Sequence, residues 1–225
     1  MNYKINFLFP SMSRPLKFFA ALDNLKEMCL TDNWEIICIL EESDLTMNNQ
    51  EVIGKISEYS NVKPFFINST GKINAINQGV KYLSLDYDIM VLMADDLVFT
   101  EKGFDYHITS FMEQYFPNLD GLLHFPDSTI QVGERQITMP VIGSKLLKMW
   151  GYVYHPSYIS VFCDNEQLNI VKQIGKHKYI SIYFYDHKHP AFSKVDWDDL
   201  YRKNESFYQQ DSDNYFKRLA LNFDL

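Results

Sequence analysis

Apolar and polar positions in the first hundred residues follow two alternating periods. Residues 5–9 form a short apolar run closed by Pro10, which predicts a strand. Pro15 suits the first turn of a helix, with Leu16, Phe19, Ala20, Leu22, Leu25 and Met28 at helical spacing behind it. Residues 35–40 read as a second strand, and 48–59 as a helix through Val52, Ile53, Ile56 and Tyr59. Residues 62–67 read as a third strand, which Pro64 keeps from a central position. A helix over 72–83 carries Ile73, Ile76, Val80 and Leu83, and a fourth strand over 89–94 stops at Asp95-Asp96.

Apolar strands separated by amphipathic helices are the pattern of a parallel sheet covered on both faces. Ligands of such sheets gather at the carboxyl ends of the strands. Here those ends are Pro10-Ser11, Glu41-Glu42, Asn68-Ser69 and Asp95-Asp96. The second half is less regular. Helices are expected over 104–115, 143–149 (broken by Gly151) and 165–174, the last with Asp164 as its cap. Extended pieces are expected over 121–125, 135–140, 158–163 and 179–185, and a helical tail over 197–219. With no repeat and no Pro/Gly linker, residues 1–225 read as one α/β domain whose second half extends the sheet and builds the other cleft wall.

Composition narrows the function. The net charge of −8 over 225 residues argues against a nonspecific nucleic-acid-polymer binder but leaves room for a nucleotide in a local pocket. No apolar run approaches membrane-spanning length, and the N-terminal apolar patch is too short for a signal peptide. Three widely spaced cysteines build neither a disulfide framework nor a Cys-rich zinc site, so a reducing cytoplasm is the simplest setting.

Four groups of residues carry candidate chemistry. Asp95 and Asp96 are delivered by an apolar strand to the sheet edge, where carboxylates suit a ribose hydroxyl or Mg²⁺ or Mn²⁺; the bland reading is a solvated turn. Gly71-Lys72 opens a helix and could approach a phosphate, although neither the P-loop spacing nor a Gly-x-Gly-x-x-Gly is present. His187 and His189 share one side of an extended chain and could face a metal, or simply end a strand. His107, His124, His155 and His177 read as isolated packing or surface residues, with His124 placed to line a cleft. Asp164 and Glu166 stand where a general base or a favourable helix start would stand.

Taken in order, these pieces resemble the nucleotide-sugar glycosyltransferases of the GT-A fold, family 2 in particular. The resemblance rests on Pro10-Ser11-Met12-Ser13-Arg14-Pro15, the acidic Glu41-Glu42-Ser43-Asp44 and the run Gly71-Lys72-Ile73-Asn74-Ala75-Ile76-Asn77-Gln78-Gly79. Asp95-Asp96, the segment from Met139 to Tyr152, Asp164-Asn165-Glu166 and the downstream histidines complete it over roughly residues 3–190. The family's usual Asp-Asp-Gly-Ser-x-Asp after the second strand is absent.

The resemblance implies metal-dependent, inverting transfer of a sugar from a UDP- or GDP-linked donor to an acceptor hydroxyl. It implies donor contacts from Pro10, Ser11, Arg14, Glu41, Asn68, Gly71, Lys72, Asn77 and Asp95. Mn²⁺ or Mg²⁺ would sit on Asp96 with His187 or His189, and Asp164 or Glu166 would be the base. Residues 1–100 would hold the donor and 101–190 the acceptor side, while the tail 191–225 would pack on the core, self-associate or form an acceptor lip. A nucleotidyltransferase, a nucleotide-sugar hydrolase and a non-catalytic binding protein of the same fold are the alternatives.

Overall fold

The structure is a computed structural model and describes residues 3–127, 133–191, 193 and 195–225. Its first half follows the expected alternation: β1 (Ile5–Ser11), α1 (Pro15–Met28), β2 (Trp34–Glu41), α2 (Gln50–Ile56), β3 (Val62–Ile67), α3 (Lys72–Gly79) and β4 (Ile89–Leu92). The second half holds β5 (Leu97–Phe99), α4 (Phe104–Tyr115), β6 (Leu122–His124), β7 (Val141–Gly143), α5 (Ser144–Trp150) and α6 (Cys163–Gln173). It ends in β8 (His177–Tyr179), β9 (Tyr185–His187), α7 (Asp199–Glu205) and α8 (Tyr208–Ala220).

Seven strands form one sheet in the order β3-β2-β1-β4-β7-β6-β8. The pairs β1–β2, β1–β4, β2–β3 and β6–β8 are parallel, and β7 runs against both β4 and β6. β5 and β9 form a separate antiparallel ladder. β3 is the outer strand, where the N–H that Pro64 lacks costs no central ladder bond.

Strand periodicity divides the apolar side chains between two cores. Ile5, Phe7 and Phe9, Ile36, Cys38 and Leu40, and Ile89 and Val91 enter one core with Phe18, Leu22 and Leu25 of α1 and Ile108 and Met112 of α4. Leu8, Ile37, Ile39, Met90 and Leu92 enter the other with Ile73 and Ile76 of α3, Leu146 and Leu147 of α5, and Leu168 and Val171 of α6. Both faces are therefore buried, which explains why these strands read as continuous apolar runs. Gly79 lets α3 lie close to the sheet: a Cβ there would stand 2.6 Å from Leu8 Cδ1 and 2.8 Å from Ile39 Cγ1.

Several expected details differ. The buried stripe of α1 runs through Phe18 and Ala21, leaving Leu16 87% exposed and Ala20 exposed, because the helix meets the sheet with a rotated face. The third helix stops at Gly79 and continues as a 3-10 turn over Val80–Tyr82. The run 179–185 is not one strand: its ends belong to β8 and β9, which pair in different sheets. Residues 158–162 and 136–140 hold no strand. Phe162, at φ 63°, is the N-cap of α6, so Asp164 lies inside the first turn instead of capping it.

Candidate active site

The strand ends converge as the alternation requires. The Ser11 hydroxyl at the end of β1 donates to Asp95 Oδ2 beyond β4 (3.0 Å). The loop after β1 is braced by Asp44, whose carboxylate accepts the Ser13 N–H (2.6 Å) where the backbone turns through φ 60°. Glu41 at the end of β2 accepts from the Ser69 N–H (3.1 Å) and the Ser69 hydroxyl, and Asn68 donates to Glu42 (2.6 Å). Pro10 lies in β1 opposite Ile39. Ser11, Glu41, Asn68 and Asp95 thus line one edge of the sheet.

Gly71 and Lys72 begin α3 beside this edge. Gly71 adopts φ 158° and ψ 177°, with Ile159 close enough that a Cβ would touch its Cγ2 at 3.4 Å. Lys72 helps hold down the pKa of both Asp96 and Asp164, so one cation acts on both carboxylates. Asn77 is turned elsewhere: it donates to the Tyr154 carbonyl (2.7 Å) and accepts from the Val153 and Tyr154 N–H groups.

Asp96 is 8% exposed, and its Oδ1 is buried with no hydrogen-bond partner among the described residues. The β5–β9 ladder begins at the next residue and sets Leu97 opposite His187; the Lys188 N–H donates to the Asp96 carbonyl (2.8 Å). His187 Nε2 consequently stands 3.5 Å from Asp96 Oδ2, and its Nδ1 stands 3.5 Å from Asp127 Oδ2. Burial lowers the His187 pKa, but Asp127 and Asp96 outweigh it and raise it to about 9. Burial pushes Asp96 up, but His187, Tyr201 and Lys72 hold it well below the usual carboxylate range. His189, its ring 5.3 Å from that of His187, is lowered to about 4 by burial and by His187.

Three residues of this centre carried no signal in the sequence. Asp127 follows β6 and accepts from Thr138 (2.9 Å). Tyr201 of α7 donates its hydroxyl to Asp96 Oδ2 (2.9 Å). Asp198, just before α7, takes both Nε and Nη2 of Arg14 at 2.9 and 2.7 Å. Arg14 gives Nη1 to Asp95 (2.9 Å) and stacks 3.8 Å over the Tyr201 ring. Its donors face protein carboxylates, and Asp198 and α7 are built into the centre through them.

The two rival acids separate. Glu166 is 1% exposed and accepts Nε and Nη2 of Arg218 (2.8 and 2.9 Å) and the Tyr158 hydroxyl (2.7 Å). Asp164 is half-buried; burial raises its pKa against the opposing effects of Gln136 and Lys72. A carboxyl so raised is a stronger base than an ordinary aspartate. His124 and His177, which read as isolated, meet at 3.2 Å between Nδ1 and Nε2 inside the β6–β8 side of the sheet.

Among the described residues no set of three or more His, Cys, Asp or Glu side chains is already gathered for a metal ion. The groups at Asp96 nevertheless fit one: a buried carboxylate oxygen without a donor, near the neutral His189 ring and near His187, which would give up its proton on binding, is an oxygen and nitrogen set that Mn²⁺ accepts.

No protein-family model matches the sequence, and no curated protein does. Solved structures do match the fold. The mannosyltransferase PcManGT of Pyrobaculum calidifontis, in complex with GDP-Man and Mn²⁺, superposes with a TM-score of 0.64 at 12% identity, over 80% of this chain and 55% of that one. S. aureus TarS in complex with UDP-GlcNAc gives 0.66 at 14% identity, over 88% and 60%. The fold is that of the GT-A glycosyltransferases. The chain spans little more than half the length of these two neighbours. A nucleotidyltransferase also shares the architecture: the 4-diphosphocytidyl-2C-methyl-D-erythritol synthase of Anaerococcus prevotii superposes at 0.57 with 13% identity, over 92% and 97%.

Proposed function

We propose that this chain transfers a sugar from a nucleoside-diphosphate sugar to an acceptor hydroxyl, with inversion at the anomeric carbon. The observation that carries this reading is the pairing of Asp96, with its unpartnered buried oxygen, and a separate half-buried acid, Asp164, on a GT-A fold. Both answer to one cation, Lys72. A nucleotidyl transfer would ordinarily want a basic, Gly-rich loop after β1, and here that loop reads Pro10-Ser11-Met12-Ser13-Arg14-Pro15 with Arg14 spent on Asp95 and Asp198.

In this reading the donor lies along the ends of β1 to β4. Glu41, Asn68 and Ser11 border the nucleoside, Asp95 sits by the ribose, and Gly71 and Lys72 approach the diphosphate. Asp96 with His187 and His189 would hold Mn²⁺ or Mg²⁺, which when bound neutralises charge developing on the departing diphosphate. Asp164 takes the proton of the acceptor hydroxyl. The oxygen so activated forms the new bond to the anomeric carbon as the bond from that carbon to the phosphate oxygen breaks, and the electron pair leaves with the diphosphate. Glu166 is assigned no part in this, because its oxygens are committed to Arg218 and Tyr158.

The test compares wild type and Asp164→Asn for nucleoside-diphosphate release from UDP- and GDP-sugars with sugar, lipid and peptide hydroxyl acceptors. Asp164→Asn should lower transfer by at least about a hundredfold with donor affinity kept, the usual scale of general-base catalysis. Unchanged turnover in that variant would remove Asp164 from the reaction.

A further inference from the structure

Tyr201 lies 105 residues from Asp96 in sequence, yet its hydroxyl donates to Asp96 Oδ2 at 2.9 Å and its side chain is 3% exposed. The ring has no freedom to swing away. The Arg14 guanidinium lies 3.8 Å over one part of it, and the His189 ring meets it edge-on at 4.8 Å. Arg14 is itself fixed by two bonds to Asp198, which also accepts the Tyr201 N–H (3.0 Å) as the N-cap of α7. One carboxylate therefore holds both the backbone that carries the phenol and the cation stacked on it.

The consequence falls on the rotation of Asp96. A carboxylate at the end of a strand can turn about its last bond and exchange its two oxygens. Here Oδ2 receives the Tyr201 hydroxyl and faces His187, while Oδ1 is left buried and unpartnered. A neutral donor suits that task, because it orients the carboxylate without adding a charge of its own. Partners that orient a metal ligand in this way are worth about 10- to 100-fold in metal affinity.

We infer that Tyr201 is a positioning residue of the metal centre: its hydroxyl pins Oδ2 of Asp96 so that Oδ1 is presented to the divalent cation. The inference rests on the proposed function, because it takes Asp96 as the metal ligand. It makes the C-terminal element part of the active centre, with Asp198 as the anchor that keeps the phenol in place.

The experiment measures free Mn²⁺ by electron paramagnetic resonance during MnCl₂ titration of the full chain, for wild type, D96A, Y201F and D198N. Y201F keeps the ring under Arg14 and removes only the oxygen. It should bind Mn²⁺ about tenfold more weakly than wild type, while still unfolding cooperatively at a somewhat lower midpoint and binding UDP and GDP in EDTA as wild type does. D198N keeps the hydroxyl and the helix cap but turns one of the two Arg14 acceptors into an amide donor and so loosens the cation stacked on the phenol; it should weaken Mn²⁺ severalfold and carries the same test should Y201F lose its fold. Equal Mn²⁺ affinity in wild type and folded Y201F or D198N, with D96A defective, overturns the role of Tyr201 and leaves the metal site standing. Absence of saturable Mn²⁺ binding in wild type overturns both.

Discussion

Asp164 and Glu166 are two positions apart, chemically alike and indistinguishable in the sequence, yet the fold gives them different surroundings. Glu166 points into the contact between α6 and α8, where Arg218 and Tyr158 take its oxygens. Asp164 stays half-buried with Lys72 in electrostatic reach. The choice depends on Arg218, 52 residues downstream, which no local pattern announces. Asp95 and Asp96 were legible because an apolar strand that stops at two acids has one place to end in a parallel sheet. Tyr201, Asp198 and Asp127 were not, since each meets the centre through a residue far away in the chain: Asp96, Arg14 and His187 respectively. A pH profile follows from the raised pKa of Asp164. As the proposed base Asp164 acts as the carboxylate, so transfer should fall as pH drops through that raised pKa. The acid limb of kcat should then lie above the ordinary aspartate value of about 3.9. A limb at or below that value in the wild type would argue against Asp164 as the base.

At the scale of elements, the tail helices are held by polar bonds and bury little apolar surface. Asp211 is the buried residue of α8, and it accepts three successive N–H groups, of Ile159, Ser160 and Val161, at 3.0, 2.7 and 2.9 Å. Arg218 closes the other end on Glu166. Removing one partner of a buried pair strands the other charge, so Arg218→Ala should destabilise the protein by about 3 kcal/mol in urea unfolding. Asp164-dependent chemistry should survive at low temperature; a variant as stable as wild type would show that the pair carries little. The elements themselves were partly legible. The helix over Phe104–Tyr115 and the first three strands follow their periods closely. The β5–β9 ladder was hidden, because strands of three residues far apart in the chain carry no pattern long enough to mark their pairing. That ladder is what brings His187 to Asp96.

For the whole molecule, the alternation of strand and helix was enough to foresee a sheet with two buried faces and the edge where Ser11, Glu41, Asn68 and Asp95 gather. It was not enough to reveal the reversed β7 between β4 and β6, since three buried apolar residues say nothing about direction. Close packing of α3 on the sheet supports the ligand edge, and Gly79 is its tightest point. Gly79→Val should cost about 1–3 kcal/mol through overpacking against Leu8 and Ile39, read as a lower denaturation midpoint. The central claim is that the edge so formed binds a nucleoside diphosphate through a divalent cation at Asp96. Calorimetric titration with UDP, GDP, CDP and dTDP, each with Mn²⁺ and with EDTA, tests it most directly. One diphosphate should bind with Mn²⁺, weaken at least about tenfold in EDTA, and lose that difference in Asp96→Ala. Binding of none of them, or equal binding with and without metal, would contradict the account.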